Sequence, residues 1–317
     1  MNNRRIVLLD LMQGLAMILV VIGHHLFPFM PEWYRALHYY IYLFHMPFFI
    51  FISAFLIRYS YKEIKNTKEY YLYILRKARK FIPPYLVIGV ICIILKRPQN
   101  ITEFCHKTAL LIYEPLSSEA TFLWYIYLLF IFYLISPIVF FLSTRNKIVL
   151  LAICFLISLQ LPETNYFCIS YFCKLSPFYM AGVLAAERWG AINKFNPMWG
   201  IPALLCFCVL SLTHFIIGYN HVLEIAISWI AIPSMTYIAW LLGNIHILRN
   251  MLTSISINCF GIYLLHMFFI QGIALLFSYT NVVCTTQVAL IYLTISVITS
   301  ITMAAYSWKG LNRLLKL

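Results

Sequence analysis

Apolar runs long enough to cross a bilayer recur along the whole chain, broken by short polar segments. A crossing helix needs about 20 consecutive, mostly apolar residues. On that measure the pattern predicts ten spans, at 6–29, 38–57, 81–96, 121–142, 147–161, 174–188, 198–217, 222–243, 255–278 and 286–307, of which the third, fifth and sixth are short. The longest polar segment on one side is RYSYKEIKNTKEYYLYILRKARKFIPPY, 58–85. Its second half is basic and aromatic, which fits either a helix lying on the membrane surface or a solvated basic loop. On the other side, 97–120 is expected to hold a short interfacial helix near 101–113. No polar stretch exceeds about 25 residues, too little for a separate soluble domain. No tandem repeat is visible either, so 1–317 reads as one all-α domain, a polytopic transmembrane helical bundle.

One apolar run is interrupted by polar groups in a regular way. LLDLMQGLAMILVVIGHH, 8–25, carries Asp10, Gln13, His24 and His25, and Asp10 is the only aspartate in the chain. At about 100° per residue, Gln13 and His24 fall within about 20° of each other on the helix face, and Asp10 lies within about 60° of Gln13. These three form a stripe, while His25 points about 100° away from His24. Along the axis His24 is roughly 16 Å from Gln13 and roughly 21 Å from Asp10, at about 1.5 Å per residue. Two readings stand: the stripe lines a passage from the cytoplasmic end towards mid-membrane, or each group satisfies a neighbouring helix. Ionisable groups in a span face the bundle interior in both.

Charge changes the picture next. The net charge of +13 would suggest nucleic acid in a soluble protein. Here the chain is 63% hydrophobic and 10% charged, with a mean hydropathy of +0.85, and the excess is topological. With the N-terminus inside, 18 of the 23 basic residues fall on cytoplasmic segments: Arg4 and Arg5, the eight from Arg58 to Lys80, then Arg145, Lys147, Arg188, Lys194, Arg249, Lys309, Arg313 and Lys316. Arg35, Lys96, Arg97, Lys107 and Lys174 fall outside. This split places both termini in the cytoplasm of a multi-pass protein of the inner membrane. The first run is a span rather than a signal peptide, because Asp10 lies inside it and no small-residue cleavage pattern follows. The nine cysteines show no CxxC pair; Cys168 and Cys173 form a disulfide if their loop faces an oxidising space, or stay thiols like the rest. No His/Cys/Asp cluster has metal-ligand spacing, so neither a metal nor a tightly bound cofactor is expected. Asn100-Ile-Thr102 fits a glycosylation sequon, a weak motif.

After the stripe come FHMPFFIFISAFLI (44–57), RKARKFIPPY (76–85), FLWYIYLLFIFYLISP (122–137) and INCFGIYLLH (257–266). In that order the segments resemble the membrane-bound acyltransferase family 3, over about residues 5–270, and FHMPFF resembles its fucose 4-O-acetylase-like subgroup. The resemblance implies transfer of an acyl group, usually acetyl from acetyl-CoA, to a hydroxyl of a glycan or another cell-envelope molecule. Family members carry a basic residue and a histidine on the first helix with ten residues between. The histidine maps onto His24 and the basic residue onto Gln13, a departure, because an amide brings no charge. The family's Ser-Gly-Phe becomes Ser53, Ala54 and Phe55. A basic pair three apart maps onto Arg76 and Arg79, although Lys77 and Lys80 fit the same spacing. A tryptophan maps onto Trp124, and the late pattern onto Gly261 to His266, with Cys259 at a serine position.

The resemblance and the residues together set out a chemistry. Acyl transfer to a sugar hydroxyl needs a base, and a histidine serves at neutral pH. His24 is the expected base; Asp10, too far along the axis to orient it, is expected to join the catalytic set by pairing with a basic residue of the cytoplasmic side. The oxyanion needs donors, for which Ser53 and Tyr263 are the expected groups. CoA is cytoplasmic and polyanionic, so Arg76 and Arg79 are expected to clamp its phosphates, with Gln13, Ser53 and Phe55 along the donor path. His45, Trp124, Tyr263 and His266 are the expected acceptor contacts. Whether His24 is a base or is itself acylated stays open. The expected partners are acyl-CoA as co-substrate, a glycan or lipid-linked sugar acceptor and the bilayer, with no nucleic acid. The competing reading is a transporter or flippase of a lipid-linked sugar, against which stands the absence of an inverted repeat.

Overall fold

A computed structural model describes residues 6–25, 27, 30–160, 164–189, 197–280 and 285–315. Among these, every regular element is helical. The α-helices are α1 (Val7–Gly23), α2 (Glu32–Tyr59), α3 (Thr67–Leu95), α4 (Ile101–Tyr113), α5 (Trp124–Phe141) and α6 (Thr144–Ser158). They continue as α7 (Ile169–Arg188), α8 (Gly200–Ile217), α9 (His221–Gly243), α10 (His246–Ile257), α11 (Cys259–Ser278) and α12 (Thr286–Leu315). Eight helices are long and apolar enough to cross a membrane, and α1 is a shorter apolar helix. Each of the ten expected spans coincides with a helix, but α6 has only 15 residues and is not among the eight. The chain is an all-α, polytopic membrane protein. Arg4, Arg5, Lys194 and Lys316, which entered the charge asymmetry, lie outside the described residues, as do 26, 28, 29 and 161 at the ends of two expected spans.

The chain divides into two compact units: Met1–Ile52 with Lys194–Leu317, and Ser53–Asn193. In the first unit α1 packs against α9, α10, α11 and α12. Its buried residues, among them Leu9, Leu11, Met12, Ala16, Met17 and Val20, lie on all sides, as expected of a helix that is apolar all round. Gly14 permits the closest approach, because a β-carbon there would sit 2.3 Å from the backbone oxygen of Leu252 on α10. α1 stops at Gly23, six residues short of the expected span. His24 takes the C-cap with φ −91° and ψ 2°, and the His38 ring bonds to the Gly23 backbone. Gly23 is a poor helix former, and Pro28 and Pro31 follow in the sequence, neither of which can continue a helix. In α2, Pro47 has no N–H to offer the Leu43 carbonyl, and Ser228 Oγ of α9 donates to that oxygen at 2.6 Å. A helix absent from the sequence reading is α10, which ends at Asn258 before α11 begins.

In the second unit, α3 joins two expected elements into one helix of 29 residues. Its start is set by a cap: Asn66 Oδ1 accepts from Glu69 N–H, and Glu69 Oε2 accepts from Lys65 N–H, both at 2.9 Å. The helix continues through Pro83 and Pro84, whose missing N–H groups release the Arg79 and Lys80 carbonyls from the ladder. α4 occupies the 101–113 expected of the interfacial helix, and Asn100 caps it by accepting from Glu103 N–H at 2.8 Å. Thus the sequon asparagine is a helix cap here. Cys168 and Cys173 are free thiols.

Candidate functional site

In the first unit, histidines gather where α1 ends. The His24 and His266 ring centroids are 5.1 Å apart, with planes tilted by 51°. His25, His38 and His45 also lie within electrostatic range of His24. Their hydrogen bonds fix different roles. His266 is fully buried, and its Nδ1 meets the carbonyls of Tyr263 at 2.7 Å and Ile262 at 3.1 Å. A carbonyl only accepts, so Nδ1 carries the proton and the neutral ring presents its lone pair at Nε2. His45 repeats the arrangement, with Nδ1 2.8 Å from the Ile41 carbonyl. His25 is bound at both nitrogens: Nδ1 donates to the Val21 carbonyl at 2.6 Å, and Nε2 accepts from Ser296 Oγ at 2.7 Å. His24 is half-buried, and among the described residues its ring has no hydrogen bond. The neighbours His24 and His25 are therefore chemically unlike: one ring is open, the other anchors α1 to α12.

The other members of the stripe meet α10. Ser256 Oγ lies 2.8 Å from Gln13 Oε1 and 3.2 Å from Asp10 Oδ1. One hydroxyl proton cannot serve both acceptors fully. With the Gln13 amide turned, its NH2 donates to Ser256 Oγ and the hydroxyl donates to Asp10, which satisfies all three groups. The stripe thus faces the consecutive helices α10 and α11, Asp10 and Gln13 towards Ser256 and His24 towards His266. Tyr263, buried on α11, has its ring centroid 5.8 Å from that of His266.

In the second unit, Arg76, Lys77, Arg79 and Lys80 all line one cavity of 720 Å3 beside the start of α3. Both basic pairs that fit the spacing therefore share it. The Lys77 ammonium lies 4.1 Å from the centre of the Tyr133 ring, a desolvated cation–π contact, whereas Arg76 and Arg79 are exposed. Arg76 Nε donates to the Leu72 carbonyl at 3.2 Å. Ser53 Oγ is 2.6 Å from Tyr125 OH. Phe55 is buried with its ring edge-on to Trp189 at 5.4 Å, and Trp124 lies 4.5 Å from Tyr171. These last three contacts are made within the second unit.

Sequence reasoning missed a buried ion group in this unit. Lys147 is 3% exposed; its ammonium is 2.5 Å from Glu187 Oε1 and 3.2 Å from the Phe140 carbonyl. Arg58 Nε donates to the same Glu187 oxygen at 2.8 Å. Both cations fall on segments that the charge pattern assigns to cytoplasmic loops; the available signal is Glu187 itself, one of only ten acids in the chain. Among the described residues, no group of His, Cys, Asp or Glu could hold a metal ion.

The acyltransferase domain of family 3 matches residues 6–307. No curated protein and no solved structure matches the chain. The match runs from before the stripe on α1 to beyond the middle of α12 and takes in both units, so the chain belongs to acyltransferase family 3, as a multi-pass membrane acyltransferase.

Proposed function

We propose that this acyltransferase moves an acyl group, acetyl in the first instance, from cytoplasmic acyl-CoA to a hydroxyl of a cell-envelope glycan or lipid-linked sugar, in the inner membrane. The FHMPFF segment supports the fucose 4-O-acetylase-like subgroup. The observation that carries the reading is the His24 ring, half-buried beside His266 and without a hydrogen bond among the described residues.

In this reaction the acceptor hydroxyl gives its proton to His24 as its oxygen attacks the thioester carbonyl carbon. The carbonyl oxygen takes up the negative charge, for which Tyr263 is the donor in the first unit. Collapse breaks the carbon–sulfur bond, and the CoA thiolate receives the proton back from the imidazolium. A thioester and an alcohol become an ester and a thiol, with no net proton change. His266, with its proton held on Nδ1 by backbone carbonyls, offers Nε2 as an acceptor to orient the sugar or the His24 ring. The basic cavity of the second unit is the donor's phosphate site: its two exposed guanidiniums suit diphosphate and phosphate oxygens better than ammonium groups do.

The test uses the purified full chain in nanodiscs with acetyl-CoA and an envelope glycan extract. Release of the free thiol together with an ester on the glycan is expected. Neither product, from protein that is folded and binds CoA, would overturn the proposed reaction.

A further inference from the structure

A groove of 450 Å3 runs along the first unit between α1, α10, α11 and α12, apart from the histidine rings. Ile18, Ile262, Val297 and Ile301 form its apolar wall, and Asn258 and Lys309 are among its polar members. We infer that this groove holds an acyl chain of an anionic phospholipid whose phosphate rests on the Lys309 ammonium.

Three observations favour that occupant. The groove is walled by two candidate membrane spans and includes outward-facing residues, Ile298 at 59% and Tyr306 at 72% exposure, so it opens on hydrocarbon. From Val297 to Lys309 it extends twelve residues, roughly 18 Å at about 1.5 Å per residue, close to one leaflet of a hydrocarbon core about 30 Å thick. The charge at its end is also of one sign. Lys309 lies at the end of the α12 span, with its ammonium 5.8 Å from the Tyr306 ring centre. This unit contains only three acids, Asp10, Glu32 and Glu224. Asp10 engages Ser256, Glu224 engages Tyr39 and His214, and no ion pair to Lys309 exists among the described residues. An anion held at the level of a lipid headgroup, with an apolar tail one leaflet long, satisfies both ends of the groove. The chain would rest on helical turns that hold the histidines in place, because Ile262 accepts from His266 and Val297 follows Ser296.

Native mass spectrometry of the whole protein, released from detergent with equal phosphatidylglycerol and phosphatidylcholine, tests the inference without reference to catalysis. The wild type is expected to retain one phosphatidylglycerol in preference to phosphatidylcholine. Lys309→Ala should reduce that preference about five-fold, the worth of one cation near a lipid surface, and Lys309→Arg should restore it. Ile298→Trp should fill the groove and lower retention of both lipids, whereas Ile291→Trp, equally exposed on the same face of α12 but two turns before it and outside the groove lining, should not. Millimolar inorganic phosphate should displace nothing. Unchanged lipid retention in Lys309→Ala or in Ile298→Trp overturns the inference, and so does displacement of the lipid by a second copy of the chain.

Discussion

The imidazoles of His24 and His266 stand 5.1 Å apart, while the ring of His25, next in sequence, is bonded at both nitrogens to Val21 and Ser296. Two adjacent histidines thus fail differently when removed. His24→Ala is expected to lower acyl transfer by about 10²–10⁴-fold, the usual worth of a general base, with a near-normal melting temperature. His25→Ala leaves a buried hydroxyl at Ser296 and a cavity behind it, and should cost about 1–3 kcal/mol of stability while the folded fraction still turns over. Transfer rates and thermal unfolding of both variants decide this. Full activity in His24→Ala would remove it from the mechanism.

The exposed guanidiniums of Arg76 and Arg79 line the same cavity as Lys77, but Lys77 sits over Tyr133. Arg76→Ala with Arg79→Ala should weaken acyl-CoA binding at least about ten-fold, at about 1.5–3 kcal/mol for each charge-assisted bond lost. The effect should shrink as salt rises. Titration calorimetry in detergent measures it. Unaltered affinity would move the phosphates elsewhere.

Glu187 neutralises two cations at once, Lys147 and Arg58. Glu187→Gln removes the charge and leaves Lys147 buried without its counter-ion, which should destabilise the protein by about 3–5 kcal/mol. Glu187→Gln combined with Lys147→Met should recover much of that loss, because a buried pair replaced by apolar groups is often neutral. Melting temperatures of the single and double variants test the pair; equal losses in both would mean that Arg58 alone dominates.

Much of the architecture was legible because it is written in long apolar runs, which the bilayer forces into helices. α4 was readable from its short amphipathic stretch after Asn100. What escaped has local causes. α10 is only 12 residues and carries Arg249, so it resembled a loop, although Ile247, Leu248, Met251, Leu252 and Ile255 keep helical spacing. α3 begins fourteen residues before the expected span because Asn66-Thr67-Lys68-Glu69 forms a capping box, and Pro83-Pro84 suggests a break that the structure does not have. The stripe on α1 was visible from spacing alone. Its partners, Ser256 and His266, were not, since they lie more than 240 residues away and no periodicity links them.

The charge asymmetry makes a statement about sidedness that labelling can check. Residues 58–80 hold eight of the basic residues and should face the cytoplasm, with 97–120 outside. Cysteines introduced at exposed positions such as Glu63 and Thr102 should react with an impermeant maleimide only from inside and only from outside, respectively. Labelling at 63 from outside intact cells would overturn the orientation and the cytoplasmic phosphate site together.

The Ser256 bridge explains how a neutral Gln13 serves at a position where the family resemblance implies a cation. Asp10 and Gln13 lie one turn apart on α1 and meet the same hydroxyl, so the Gln13 amide finds its partner in Ser256 without carrying a charge. Ser256→Ala should break it and cost about 1 kcal/mol, with Asp10 and Gln13 each losing one hydrogen bond. Gln13→Leu should cost a similar amount, and the double variant Gln13→Leu with Ser256→Ala should cost less than the two singles added, because the groups act as a unit. Gln13→Arg should fold and retain transfer, since Asp10 stands within reach to pair with the new guanidinium. Melting temperature and transfer rate across these four variants measure the coupling. Strict additivity of the singles, or complete loss of folded protein in Gln13→Arg, would show that Gln13 and Asp10 do not share one network through Ser256.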